Sequence, residues 1–287
     1  MRRATLAIPA LAAILAAWAS PPAARALAPS PLAAELDRRV EAAGERLISW
    51  RRHLHAHPEL SNREVETAKF VAARLAEMGL PVRTGIAGHG VVAVIEGGRS
   101  GPTIALRADL DALPVAEPPG LPFASQATGV WEGQSVPVMH ACGHDAHTAM
   151  LLAAAEVLAG VRAQLPGRIV LLFQPAEEGV PAAERPAGAE AMIAAGVLDQ
   201  PPVEAIFGFH VMAPMLAGTV GYRAGALMAA ADSFEIRVHG RGAHGSTPWT
   251  GIDPIVVGSE IVTALQSIVA RETDLTSEPA VVTVGQF

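Results

Sequence analysis

Cysteine is almost missing: Cys142 is the single one in 287 residues, so no internal disulfide can form and a thiol–disulfide redox cycle within the chain is excluded. In an oxidising compartment that thiol must be buried or occupied. Positive charge is also scarce. A formal net charge of −7 leaves no basic stripe to replace phosphate counterions, which argues against nucleic acid as a partner. The apolar run near the start, residues 4–19, is short for a membrane span and is interrupted by Pro9.

That opening stretch has the layout of an export signal. Arg2 and Arg3 precede the apolar run, and small-residue patterns of the A-x-A form follow at Ala17-Trp18-Ala19 and Ala24-Arg25-Ala26. Cleavage after Ala26 is expected, giving a periplasmic or secreted product with no membrane association in its mature form. Losing three arginines and no acid takes the formal charge to −10. What remains is long enough for one sizeable core or for two domains.

Apolar residues at steps of three and four from Leu32 to Leu54 predict a helix over 30–57, ended by Pro58. His53, His55 and His57 crowd its last turn, where the negative end of the helix dipole favours them. Ser61 and Glu64 have the spacing of a capping box for a second helix, closed at Gly79. From Gly90 the pattern turns to strands. VVAVIEG at 91–97 and TIALRAD at 103–109 are continuous apolar runs, as suits a mostly parallel sheet covered on both faces. Residues 112–137 read as a surface loop, 147–165 as a helix, 168–174 as a strand, and 205–211 as another buried strand. The fold class expected is α/β, with helices sandwiching the sheet.

Chemistry-bearing side chains collect where these elements end. Cys142 and His144, hinged by Gly143, offer ligand types that zinc and other first-row metals accept, at a helix start whose dipole favours a thiolate. Asp109 and Asp111 leave the strand at 103–109, either as site carboxylates or as an acidic loop capping the next helix. Glu177 and Glu178 follow an apolar strand directly; two adjacent glutamates can divide metal coordination and proton transfer between them. His210 lies on an apolar strand, where a satisfied core histidine is the commoner reading.

Six blocks in order, RRHLHAHPELSNRE, ALRADLDALPV, MHACGHDAH, QPAEEG, FGFHV and GRGAHGSTPWTGIDPI, resemble the metal-dependent amidohydrolases of the aminoacylase, hippurate hydrolase and indoleacetyl-amino-acid hydrolase group. The resemblance implies two divalent metal ions, manganese, cobalt, zinc or nickel, held by Cys142, His144, Glu178 and His210. It makes Glu177 the general base and gives His244 the developing oxyanion, reached across a homodimer. Asp111 would orient a ligand, and Asp109 would be a ligand or a near neighbour. The implied substrates are small N-acyl amino acids; a dipeptidase or deacetylase would use the same site, and a non-catalytic exported binding protein would keep the fold without turnover.

The same resemblance divides the chain into a signal peptide at 1–26, a catalytic metal-binding domain at 27–223 and part of an α+β lid and dimerisation domain at 224–287. Strands are expected at SFEIRVHG and AVVTVGQ, with a helix from about Pro254 to Arg271 between them. Members of the group continue past this point, close the lid and supply another histidine ligand. A truncated chain, inactive by itself, is therefore expected.

Overall fold

The computed structural model describes residues 30–228, 232–276 and 279–287. The export signal expected at 1–26 lies outside the described residues. These residues form two compact units, one ending at Ala213 and the other running Pro214–Phe287.

In the first unit, helix α1 (Pro31–Ala56) starts where Ser30 accepts the Ala33 amide and ends at His57 before Pro58. Helix α2 (Val65–Glu77) is closed by Gly79 in the left-handed region, with the Leu80 amide returning to the Leu75 carbonyl. Its start corrects the capping-box expectation. The Glu59 carboxylate accepts the Glu66 and Thr67 amides at 3.1 and 2.8 Å, while the Ser61 hydroxyl donates to Asp111 instead. A buried carboxylate offered Ser61 a stronger, charge-assisted acceptor than a helix amide could match.

Five strands make the main sheet: β1 (Val82–Ile86), β2 (Gly90–Glu96), β3 (Arg99–Asp109), β6 (Pro166–Gln174) and β7 (Ala205–Gly208), in the spatial order β1-β2-β6-β3-β7. It is mixed: β6 is antiparallel to β2 and parallel to β3, and β3 is parallel to β7. Alternate residues of its apolar strands enter different cores. Val91, Ala93, Ile95, Ile169, Leu171 and Phe173 pack with Val71 and Leu75 of α2 and with Leu152 of α3 (His144–Gly160). Val92, Ala105, Val170 and Leu172 pack on the opposite face with Met192 of the short helix α4 (Gly188–Ala194). Two covered faces explain why these strands do not alternate polar with apolar. Full burial of each such side chain stabilises by about 1.5–3 kcal/mol.

Two expectations fail locally. The stretch 112–137 is not all loop: β4 (Thr128–Trp131) and β5 (Gln134–Pro137) pair antiparallel around Glu132 and Gly133, both at positive φ, as a two-residue hairpin turn demands. The strand expected to be buried over 205–211 stops at Gly208 and is exposed: it is an edge strand paired with β3, and its side chains join neither of the apolar clusters on the two faces of the sheet.

The second unit contains α5 (Pro254–Ser267), whose Asp253 cap accepts the Ile255 and Val256 amides, and a π-helical turn continues it to Glu272. By length and composition alone, Pro254–Glu272 is apolar enough to cross a membrane. The strands expected at SFEIRVHG and AVVTVGQ are not formed among the described residues. An isolated bridge, Arg241 to Ile252, is present, but neither segment has a ladder partner, and a strand without a neighbour has unpaired amides and no stability of its own.

Candidate metal centre

Because β3 and β6 are parallel neighbours, their C-terminal ends leave the sheet together: Asp109 pairs with Gln174, and the Leu110 amide bonds the Gln174 carbonyl at 2.9 Å. Residues 109–111 and 175–178 therefore emerge side by side. On the other flank of β3, β7 delivers His210 just beyond its end. Helix α3 begins at His144, so Cys142 and His144 straddle its cap, Gly143.

Gly143 sits at φ 98°, and a Cβ there would stand 2.2 Å from Cγ2 of Val211. That close approach lets the Cys-Gly-His turn meet the end of β7. Gly143→Ala should therefore cost about 1–3 kcal/mol of stability in urea unfolding and push His210 away from Cys142. Wild-type stability in this variant would mean the two segments are not packed as described.

The functional side chains converge here. Cys142 Sγ lies 3.4 Å from His210 Nε2. His144, fully buried, donates from Nδ1 to the Asp111 carbonyl at 2.8 Å, so that in the neutral ring the lone pair is on Nε2. That Nε2 has no hydrogen-bond partner, yet it lies 3.6 Å from Glu177 Oε2, 3.7 Å from Glu178 Oε1 and 3.6 Å from Asp109 Oδ2. Two sets of donor atoms, Cys142–His144–His210 and His144–Glu177–Glu178, each fall within 4.8 Å of one another and share His144. In a third such set, Asp109–His144–His147, the aspartate and the second histidine are already committed. His147 donates from Nδ1 to Asp109 Oδ1 at 2.7 Å and accepts the Val211 amide at Nε2, and Asp109 Oδ2 accepts from Arg107 at 2.7 Å. Asp109 thus reads as a near neighbour.

Charge in the site is lopsided. Burial would lower the His144 pKa, but the Asp111 bond and the charges of Asp109, Asp111 and Glu178 outweigh it and raise it to about 9. Burial would raise Asp109; its bond to His147, with the charges of His144 and Arg107, holds it at about 2 instead. Burial raises Glu178. The Cys142 thiol is pushed up to about 12, first by burial and then by the charge of Glu178. Without an ion, burial first and then the neighbouring carboxylates work against the thiolate that the helix start favours. A divalent cation reverses the balance, since it deprotonates a coordinating thiol and neutralises converging carboxylates. The donor set, a buried imidazole nitrogen without a partner beside a thiol and two carboxylates, fits such an ion.

Asp111 touches two of these groups. Its backbone carbonyl takes His144 Nδ1–H, and its Oδ2 accepts the Glu178 amide at 2.9 Å and the Ser61 hydroxyl at 2.6 Å. His244 belongs to the second unit and is exposed; its Nδ1 accepts the Ser246 amide at 3.2 Å, which puts its proton on Nε2. Sequence reasoning missed the job of His55, which does more than sit near a helix dipole. It is buried between Asp145 and Glu117, 2.8 Å from each, and so ties α1 to the residue after His144. A histidine bracketed by two acids distant in sequence leaves no local pattern.

Residues 105–285 match the profile of peptidase family M20/M25/M40. The chain is 44% identical over 258 residues to an N-acyl-L-amino acid amidohydrolase of Geobacillus stearothermophilus, covering 88% of this chain and 64% of that protein. It is 46% identical over 243 residues to an N-acetyl-L-cysteine deacetylase of Bacillus subtilis (strain 168), covering 85% and 54%. A crystal structure from methicillin resistant Staphylococcus aureus superposes with a TM-score of 0.70 at 40% identity, covering 88% of this chain and 64% of that one. The Bacillus subtilis YXEP protein, described as a dinuclear metal binding peptidase, superposes at 0.57 with 44% identity, covering 64% and 48%. The chain thus spans less than two thirds of the length of these relatives.

Proposed function

The chain belongs to peptidase family M20/M25/M40, and from that premise we propose that it hydrolyses the amide bond of small N-acyl amino acids, using two divalent metal ions held by Cys142, His144, Glu178 and His210. One observation carries the reading. A fully buried His144 Nε2 without a partner faces Glu177 and Glu178, with Cys142 and His210 in the same cluster. The names of the Geobacillus and Bacillus relatives support the substrate class.

When bound, the ions supply Lewis acidity and bring the pKa of a water toward neutrality. Glu177, whose side chain is the more exposed of the pair at 39% against 22% for Glu178, has room to take the proton of the attacking water and return it to the leaving amine. Glu178, the more buried, has the position of a ligand. Asp111 fixes the His144 ring and the Glu178 amide together. His244, carrying its proton on Nε2, would donate to the developing oxyanion, presented through a homodimer of the second unit.

The test is to load the protein, continued to the length of these relatives, with manganese, cobalt or zinc and to follow release of amino acids from N-acetyl and N-benzoyl substrates. Turnover that falls by about 10²-fold or more on chelation, and returns with metal, is the expected result. Metal-loaded protein that turns over none of them would sink the proposal, and faster cleavage of dipeptides would move it to a peptidase.

A further inference from the structure

The turn that presents Glu177 and Glu178 is strained, and something must hold it. Ala176 lies at φ 51°, a left-handed conformation uncommon for a residue with a Cβ, and it is only 4% exposed. Its carbonyl is met by Gly188, itself at φ 58°, where an added Cβ would stand 2.6 Å from the Ala176 oxygen. On the other side is Glu64, fully buried at the start of α2. Glu64 Oε1 accepts the Ala176 amide at 2.7 Å and the Asn62 amide at 3.0 Å. Two residues on, the Glu178 amide is held by Asp111, which the Ser61 hydroxyl also engages.

Glu64 occupies the N-cap position of α2, but neither its side chain nor that of Ser61 caps the helix. The stretch Ser61–Glu64 grips the loop that carries both glutamates: Glu64 takes the amide before Glu177, Ser61 acts through Asp111 on the amide after it, and Arg63 and Asn62 bind Glu184 further along. Burying a carboxylate costs several kcal/mol unless hydrogen bonds or opposite charges offset it, as the two amides on Oε1 do in part. Oε2 of Glu64 is left without a partner, and burial raises its pKa to about 7 despite its amide bonds.

We propose that Glu64 is a positioning residue for the hydrolysis assigned above: by accepting the Ala176 amide it holds the strained turn that aims Glu177 and Glu178 at His144. This rests on the reading of the metal centre and adds to it a residue that touches neither metal nor substrate. What the turn needs from Glu64 is an acceptor, not a charge. Glu64→Gln keeps a carbonyl oxygen of the same reach, whereas Glu64→Ala leaves the buried Ala176 amide and the part-buried Asn62 amide unanswered.

The experiment compares wild type, E64A and E64Q, each continued to the length of the relatives, on three readouts: turnover per folded molecule well below each melting temperature, KM, and cobalt affinity by absorption titration. E64A should lose about 10²-fold in kcat with KM little changed. It should bind cobalt at least about 10-fold more weakly, because Glu178 shares the turn. E64Q should stay within about threefold of wild type on all three. If E64A does not fold, E64M, which fills the same volume without an acceptor, takes its place. A purely structural role would lower melting temperature and leave kcat per folded molecule and cobalt affinity unchanged, and that result overturns the inference. So does an E64Q variant as impaired as E64A. A wild-type chain that binds no cobalt overturns the metal centre itself and this inference with it; intact binding and turnover in E64A would sink this inference alone.

Discussion

Glu177→Gln is expected to reduce turnover by about 10³- to 10⁴-fold while leaving bound metal in place. The substitution is isosteric and keeps one carbonyl oxygen, so packing of the strained turn and the bonds to Ala176 and Glu178 persist. What disappears is the basic carboxylate 3.6 Å from His144, the one with enough solvent access to meet a water and a leaving amine. Metal content by mass spectrometry beside kinetics separates the two glutamates. They lie in one potential ligand set, so geometry alone leaves each able to coordinate. Loss of metal in Glu177→Gln would reverse their roles.

His144→Ala should have the opposite signature, with metal and activity lost together. His144 belongs to both ligand sets, so its removal disables both rather than one. It also leaves Asp109, Asp111 and Glu178 facing one another without the imidazole they surround. Breaking a buried charge arrangement of this kind costs about 3–5 kcal/mol, so the ion-free variant should unfold at clearly lower urea than ion-free wild type. Circular dichroism at low temperature confirms that the fold survives, and cobalt absorption reads the site. Retained stoichiometric cobalt would show that His144 Nε2 is not a ligand.

The sequence made α1, α3, β2, β3 and β6 legible because their apolar residues recur at periods set by the elements themselves. The cluster of Asp111, Cys142, His144, Glu177, Glu178 and His210 was legible as a set of strand and helix ends once an ordered series of blocks tied them together. Other features depend on partners distant in the chain. Ser61 and Glu64 have capping-box spacing, and only a carboxylate fifty residues away and a turn beyond residue 170 decide otherwise. The thiol of Cys142 shows the same limit: a helix start is visible in sequence, but the burial that raises its pKa, and the acids from the ends of β3 and β6 that add to it, are not. Residues 233–240 look like a strand by composition, yet composition cannot supply a hydrogen-bonding neighbour.

Strand order has a kinetic side. β2 and β3 are adjacent in sequence but not in space, because β6, made some sixty residues later, lies between them. β1 and β2 can zip as a hairpin, but β2 and β3 cannot; the sheet closes only after a long segment containing Cys142 has been synthesised and folded back. Loop closure of that length must precede the contacts that reward it, which slows folding. Until β6 inserts and His210 follows, the thiol waits in a chain with no finished site around it. The interval before closure is when a single unprotected cysteine is most open to oxidation, and early capture of a metal ion would shorten that exposure.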